Sequence, residues 1–88
     1  MHTRYRPTPD ALFATLSDGA VVLDIQTKQY FSLNETGARV WALIREGREV
    51  EDIIYTLLAE YDVTRGAAEE AVTSLVQSLV GEKLIEPY

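Results

Sequence analysis

The stretch Tyr30-Phe31-Ser32-Leu33-Asn34-Glu35-Thr36-Gly37-Ala38-Arg39-Val40-Trp41, YFSLNETGARVW, changes its period in the middle. Its first four residues suit a pleated strand, with Phe31 and Leu33 on one face and Tyr30 and Ser32 on the other. From Asn34 onward the spacing is helical: Gly37, Val40, Trp41 and Ile44 fall at i, i+3, i+4 and i+7. Asn34 is a preferred N-cap, because its side-chain oxygen accepts a bond from an otherwise orphaned amide of the first turn. The strand is therefore expected to run straight into the helix. Leu33 before the cap and Ala38 at the fourth helical position have the placement of a hydrophobic staple. Glu35 suits the positive helix end and lies four residues before Arg39, a spacing for an ion pair. Gly37 costs the helix about 1 kcal/mol relative to alanine, which implies a steric reason: without a Cβ the helix lies closer to the sheet.

Upstream, ALFATL (residues 11–16) and AVVLDI (residues 20–25) are apolar runs separated by Ser17-Asp18-Gly19. Asp-Gly signals a hairpin turn, since glycine accepts positive φ. QYFSL (residues 29–33) is then the third strand of an antiparallel meander, although Thr27-Lys28 is poor turn chemistry and leaves its register open. Downstream, Gly47 is placed to end the first helix. Val50, Ile53, Ile54, Leu57 and Tyr61 repeat the helical stripe, and after Asp62-Val63-Thr64 it recurs at Ala68, Val72, Leu75, Val76 and Leu79 until Gly81 breaks it. Residues 83–85 read as a short extended tail, and residues 1–10, with two prolines and two arginines, as an extended N-terminal arm before one domain at 11–88. The expected class is α+β: a three-stranded antiparallel meander followed by three helices.

Composition narrows the function. Eighty-eight residues make one small domain, and 47% hydrophobic content supports a packed core. No cysteine is present, so disulfides and thiol chemistry are excluded and an intracellular site is the simpler reading. No signal-peptide pattern and no apolar run of about eighteen residues occurs, which points to a soluble, cytoplasmic protein without a membrane partner. A net charge of -6 opposes binding to nucleic acid.

Catalysis has little to work with. The one histidine is His2, no serine sits in a motif with a base, and the adjacent Glu51 and Asp52 lie about 100° apart on a helix. No metal-ligand spacing and no cofactor motif is present. A winged-helix DNA-binding regulator is a rival, because helix, Asp62-Val63-Thr64, helix fits a helix-turn-helix. Its groove-entering helix, however, offers Arg65 and, just beyond its end, Lys83, with Glu69 and Glu70 between them, whereas phosphate contacts need a basic face.

The third strand is an edge strand of such a meander. Neither charge nor proline guards residues 29–33, and Lys28 is the one charge nearby. Such an edge is covered by the chain's own helix, pairs with a second copy in an otherwise monomeric protein, or recruits a strand from another chain.

VVLDIQTKQYFSLNETGARVWALI (residues 21–44), followed by an acidic helix pair and GEKLIE (residues 81–86), resembles the PqqD-like family of recognition elements for ribosomally made, post-translationally modified peptides. More closely, it resembles the stand-alone leader-binding half of split lasso-peptide processing systems. The resemblance covers roughly residues 11–86 and implies a winged helix-turn-helix-like fold without catalysis or cofactor. It also implies that a precursor's leader peptide adds as a fourth strand beside the third and rests on the last helix. Carried onto this chain, the peptide-binding positions are Lys28, Gln29, Tyr30, Phe31, Ser32 and Leu33 on the strand side. On the helix they are Ala67, Glu70, Ala71, Ser74, Leu75 and Ser78, where small residues suit a groove floor, or equally a contact with the domain's own sheet. Implied partners are a separate leader peptidase and a cyclase; the alternative is a chaperone for a radical SAM enzyme. A leader tyrosine and proline are implied anchors, while Asp62, Glu69, Glu70 and Glu82 are placed to steer a lysine-bearing leader, or equally to form an ordinary solvated helix face. The chain departs from the family pattern at Thr27-Lys28, where glycine is common, and at Arg65-Gly66, where proline and acidic residues are common. Strand register and the rigidity of one groove wall depend on these positions.

Overall fold

The computed structural model describes residues 4–88; residues 1–3, with His2 and the start of the expected arm, lie outside the described residues. The elements are β1 (Tyr5–Pro7), β2 (Ala11–Leu16), β3 (Gly19–Asp24), β4 (Tyr30–Asn34), α1 (Glu35–Arg45), α2 (Val50–Glu60), α3 (Arg65–Gly81) and β5 (Ile85–Pro87). β2, β3 and β4 form the expected antiparallel meander, with β3 central. A second, two-stranded sheet joins β1 to β5, pairing Tyr5 with Pro87 and Pro7 with Ile85. The described part of the N-terminal arm is thus tied to the C-terminal tail.

Strand boundaries shift by one residue from the sequence expectation. β3 begins at Gly19, and β4 spans 30–34, which leaves Lys28 and Gln29 in the preceding turn. Leu16 pairs with Gly19, so Ser17 and Asp18 form the hairpin turn. The glycine serves a different purpose from the one its dipeptide suggests. Gly47 is the only glycine with positive φ among the described residues. At Gly19, a Cβ would overlap the Leu33 carbonyl oxygen, so glycine is needed for close approach of β4.

The β3–β4 turn is organised by Asp24. Its Oδ1 accepts the N–H of Gln26 at 2.9 Å and of Thr27 at 3.4 Å, its carbonyl accepts the Lys28 N–H at 2.8 Å, and Lys28 takes φ 66°. A side-chain acceptor thereby replaces the missing turn glycine. Register is fixed from Leu23 opposite Tyr30 to Gly19 opposite Asn34.

Of the three helices, α1 and α3 begin at side-chain caps, while α2 begins after Glu49 without one. Asn34 Oδ1 accepts the Gly37 N–H at 2.8 Å, and Thr64 Oγ1 accepts the Ala67 N–H at 3.2 Å. α1 ends at Gly47, φ 82°, whose N–H and that of Arg48 bond to the carbonyls of Ile44 and Leu43 in a Schellman arrangement. α3 does not stop because of Gly81, which is its last helical residue. The left-handed residue that ends it is Lys83, φ 60°, with Lys83 N–H bonded to Val80 O and Leu84 N–H to Leu79 O.

The core joins Ala20, Val22 and Leu33 of the sheet to the inner faces of all three helices and to Leu84 and Ile85. Trp41 is fully buried and stacks on Phe13, centroids 5.8 Å apart and planes at 7°. Gly37 is buried, and a Cβ there would meet Leu33 and the Asn34 cap at 3.3–3.4 Å, so the close approach is to the end of β4. Arg39 turns away from Glu35 to make a two-pronged bond with Glu60 at the end of α2, at 2.8 and 2.7 Å.

Candidate peptide-binding groove

β4 pairs with β3 on one side, and its other edge is open. Because the Asp24 N–H bonds to the Gln29 carbonyl, pairs alternate along the ladder so that Phe31 and Leu33 bond inward to Val22 and Ala20. Tyr30 and Ser32 therefore turn both backbone N–H and C=O toward the open edge. Their side chains are exposed, while Leu33 is buried and Phe31 half-buried, as the alternation predicts.

Across this edge lies α3. Between Ser32, Leu33 and Asn34 on one bank and Ala71, Ser74, Leu75 and Ser78 on the other is a groove of about 330 Å³, floored by Gly37 and Val40. It is open because the α3 bank carries an alanine and two serines, whose short side chains do not reach the sheet. A second depression, of about 390 Å³, continues along the strand's first half. Lys28, Gln29, Tyr30 and Phe31 line it opposite Glu82 and Leu84, with Asp24 and Thr27 at its end. β4 and α3 thus run antiparallel along one channel. The open strand is about 17 Å long at 3.4 Å per residue, room for about five peptide residues.

Ten of the twelve positions named from the sequence line these two depressions. Ala67 and Glu70 do not. Ala67 lies one turn too early and borders a small apolar cavity of about 70 Å³ with Tyr61 and Val63. Glu70 is rotated toward α2, sharing a shallow hollow with Glu69, Val50 and Ile54. Of the acidic residues named for steering, Glu82 alone borders the channel; Glu69 pairs with Arg65 at 3.3 Å on the far side of α3. Missed residues include Asn34, Thr36 and Leu84. Asn34 was visible only as a cap, and Leu84 reaches the wall through the turn at Lys83.

Elsewhere the chemistry is sparse. No group of His, Cys, Asp and Glu among the described residues could hold a metal ion, and no helix among them is long and apolar enough to cross a membrane. Arg65, the basic residue at the start of α3, bonds to Glu51 at 2.6 Å and is held more firmly protonated, first by that bond.

An α+β domain with an unpaired strand facing a helix across a channel is a peptide-docking architecture of the strand-addition kind. The PqqD family, described as coenzyme PQQ synthesis protein D, matches residues 19–85, and the chain belongs to that family. Two solved structures share the fold. One is TbiB1 in complex with the TbiA(beta) leader peptide, 32% identical with a TM-score of 0.86, the match covering 94% of this chain and 96% of that one. The other is a lasso peptide synthetase B1 complexed with the leader peptide, 31% identical with a TM-score of 0.86, covering 96% and 99%. Among curated proteins, none matches the sequence.

Proposed function

We propose that this protein binds the leader of a ribosomally made precursor peptide as a fourth strand along β4. It acts in the cytoplasm, without catalysing a reaction itself, and presents the leader to a separate peptidase and cyclase of a lasso-peptide system. The observation that carries this reading is the open edge at Tyr30 and Ser32 facing the small residues of α3 across a channel. Leader-bound relatives of the same fold supply the class of ligand.

Each ladder bond contributes a net of about 0.5–1.5 kcal/mol, and ordering each peptide residue costs about 1–2 kcal/mol, so the backbone ladder nearly cancels. Affinity then depends on side-chain anchors seated in the channel, each worth about 1.5–3 kcal/mol. Two or three suffice for about micromolar binding after association costs. DNA is the poorer ligand, since Arg65 is engaged by Glu51 and Glu69.

The test is a fluorescence-anisotropy titration with a labelled synthetic leader from the precursor encoded beside this protein, run alongside labelled duplex DNA. Micromolar or tighter leader binding with no DNA binding is the expected result. Folded protein that ignores the leader would overturn the reading, and saturable DNA binding would replace it with the regulator.

A further inference from the structure

The channel wall at the Tyr30 end is built from the turn that follows α3, and that turn is held from outside. Glu82 and Leu84, which line the wall, flank Lys83 in its left-handed conformation. Thr8, the residue just after β1, donates its hydroxyl to the Lys83 carbonyl at 2.9 Å and its N–H to the Leu84 carbonyl at 3.0 Å. Behind it the arm is anchored by pairing with β5 and by Arg6, whose guanidinium reaches Glu86 at 2.9 Å and lies 5.3 Å from the Tyr88 ring centre. Lysine does not hold a left-handed conformation by preference. The Schellman bonds and Thr8 together determine this one.

We infer that Thr8 is a positioning residue for peptide binding: through the Lys83 turn, the N-terminal strand sets the place of Glu82 and Leu84 and so the width of the channel at the Tyr30 end. Thr8 does not border the depressions along β4 and acts through the turn alone. This inference rests on the leader-binding reading above.

The experiment measures the leader's dissociation constant for wild type, Thr8→Val, Thr8→Ser and Thr56→Val. Thr8→Val keeps the side-chain shape and the N–H but removes the hydroxyl donor, and Thr8→Ser restores it. Thr56→Val removes a comparable bond, from its hydroxyl to the Asp52 carbonyl at 2.8 Å in α2, away from the channel, and controls for loss of stability. Loss of one net hydrogen bond at the wall corresponds to a weakening of about three- to tenfold for Thr8→Val. Thr8→Ser and Thr56→Val are expected to bind as wild type does. Arg6→Gln, which loosens the same strand without touching the turn, is expected to fall between. Wild-type affinity in folded Thr8→Val, or equal losses in Thr8→Val and Thr56→Val, would overturn the positioning role while leaving leader binding intact. Failure of wild type itself to bind would overturn both.

Discussion

Lys28 and Lys83 are the non-glycine residues with positive φ among those described, at 66° and 60°, and each sits where glycine would be the ordinary choice. A left-handed L-residue costs roughly 1–2 kcal/mol, and glycine returns roughly 0.5–1 kcal/mol of that as unfolded-chain entropy. Lys28→Gly and Lys83→Gly are therefore each expected to stabilise the fold by about 0.5–1 kcal/mol in urea denaturation. Gly47→Ala should move the other way by about 1–2 kcal/mol or more, because at φ 82° its Cβ would also approach the Tyr88 hydroxyl to 2.9 Å. Equal destabilisation by all three variants would contradict this account. These positions also mark where the sequence is opaque. The visible glycines announce turns, and Gly47 is one. Gly19 instead answers to the carbonyl of Leu33, fourteen residues further along the chain, and the left-handed lysines are imposed by Asp24, by the helix end and by Thr8, partners that local composition does not reveal.

At the scale of elements, apolar and aromatic runs with the Asp-Gly turn signal were sufficient to find the meander, and periodicity to find all three helices, because each helix buries a single stripe. It located the groove less completely. Strand alternation separated Phe31 and Leu33 from Tyr30 and Ser32, yet which backbone groups point outward depends on register, and register depends on the Asp24 turn. Two prolines test that assignment. Ser32→Pro removes an N–H directed at the open edge and spares the β3 ladder, so the variant should fold while losing leader affinity by about tenfold, as expected for one ladder bond and the altered edge. Phe31→Pro removes an inward bond and half-buried packing, and should fail to fold. Circular dichroism and the anisotropy titration read the two effects separately; a Ser32→Pro protein that folds and binds as wild type does would place the peptide elsewhere. The helices carry a test of their own in the Arg39–Glu60 clasp between α1 and α2. The Arg39 hydrogen bond holds the Glu60 carboxyl below its ordinary value of 4.5. A depressed folded-state value means the clasp contributes above the unfolded value and is lost as pH falls through the folded one. Glu60→Gln should therefore melt at lower temperature than wild type near neutral pH, by a small margin because both groups are solvent-exposed, and the two melting curves should converge well below pH 4.5. A gap that persists in acid would assign the effect to packing instead.

For the whole molecule, the family match and the folding unit have different limits. The match begins at Gly19, so β1 and β2 lie outside it. The core does not observe that boundary. Phe13 of β2 stacks on Trp41, Arg45 lies over the same Phe13 ring at 5.8 Å, and Tyr5 and Ala11 pack on the buried cluster. Removing residues 1–18 would leave β3 and β4 as a two-stranded sheet that depends for its stability on packing against the helices alone. It would also uncover one face of Trp41 and strip β5 of its partner, exposing the buried Ile85. Each large apolar side chain lost or uncovered is worth about 1.5–3 kcal/mol, against a total stability of about 5–15 kcal/mol for a domain. A fragment of residues 19–88 is thus expected to lack a cooperative thermal transition, and its single tryptophan should emit as a solvent-exposed indole, whereas the full chain melts in one step with blue-shifted emission. A fragment that melts cooperatively with buried Trp41 would show that helix packing alone sustains the groove. The channel would then be expected to keep its Ser32 end, where Ala71, Ser74 and Ser78 are supplied by α3, and to lose definition at the Tyr30 end, where the wall depends on the turn that the N-terminal strand holds.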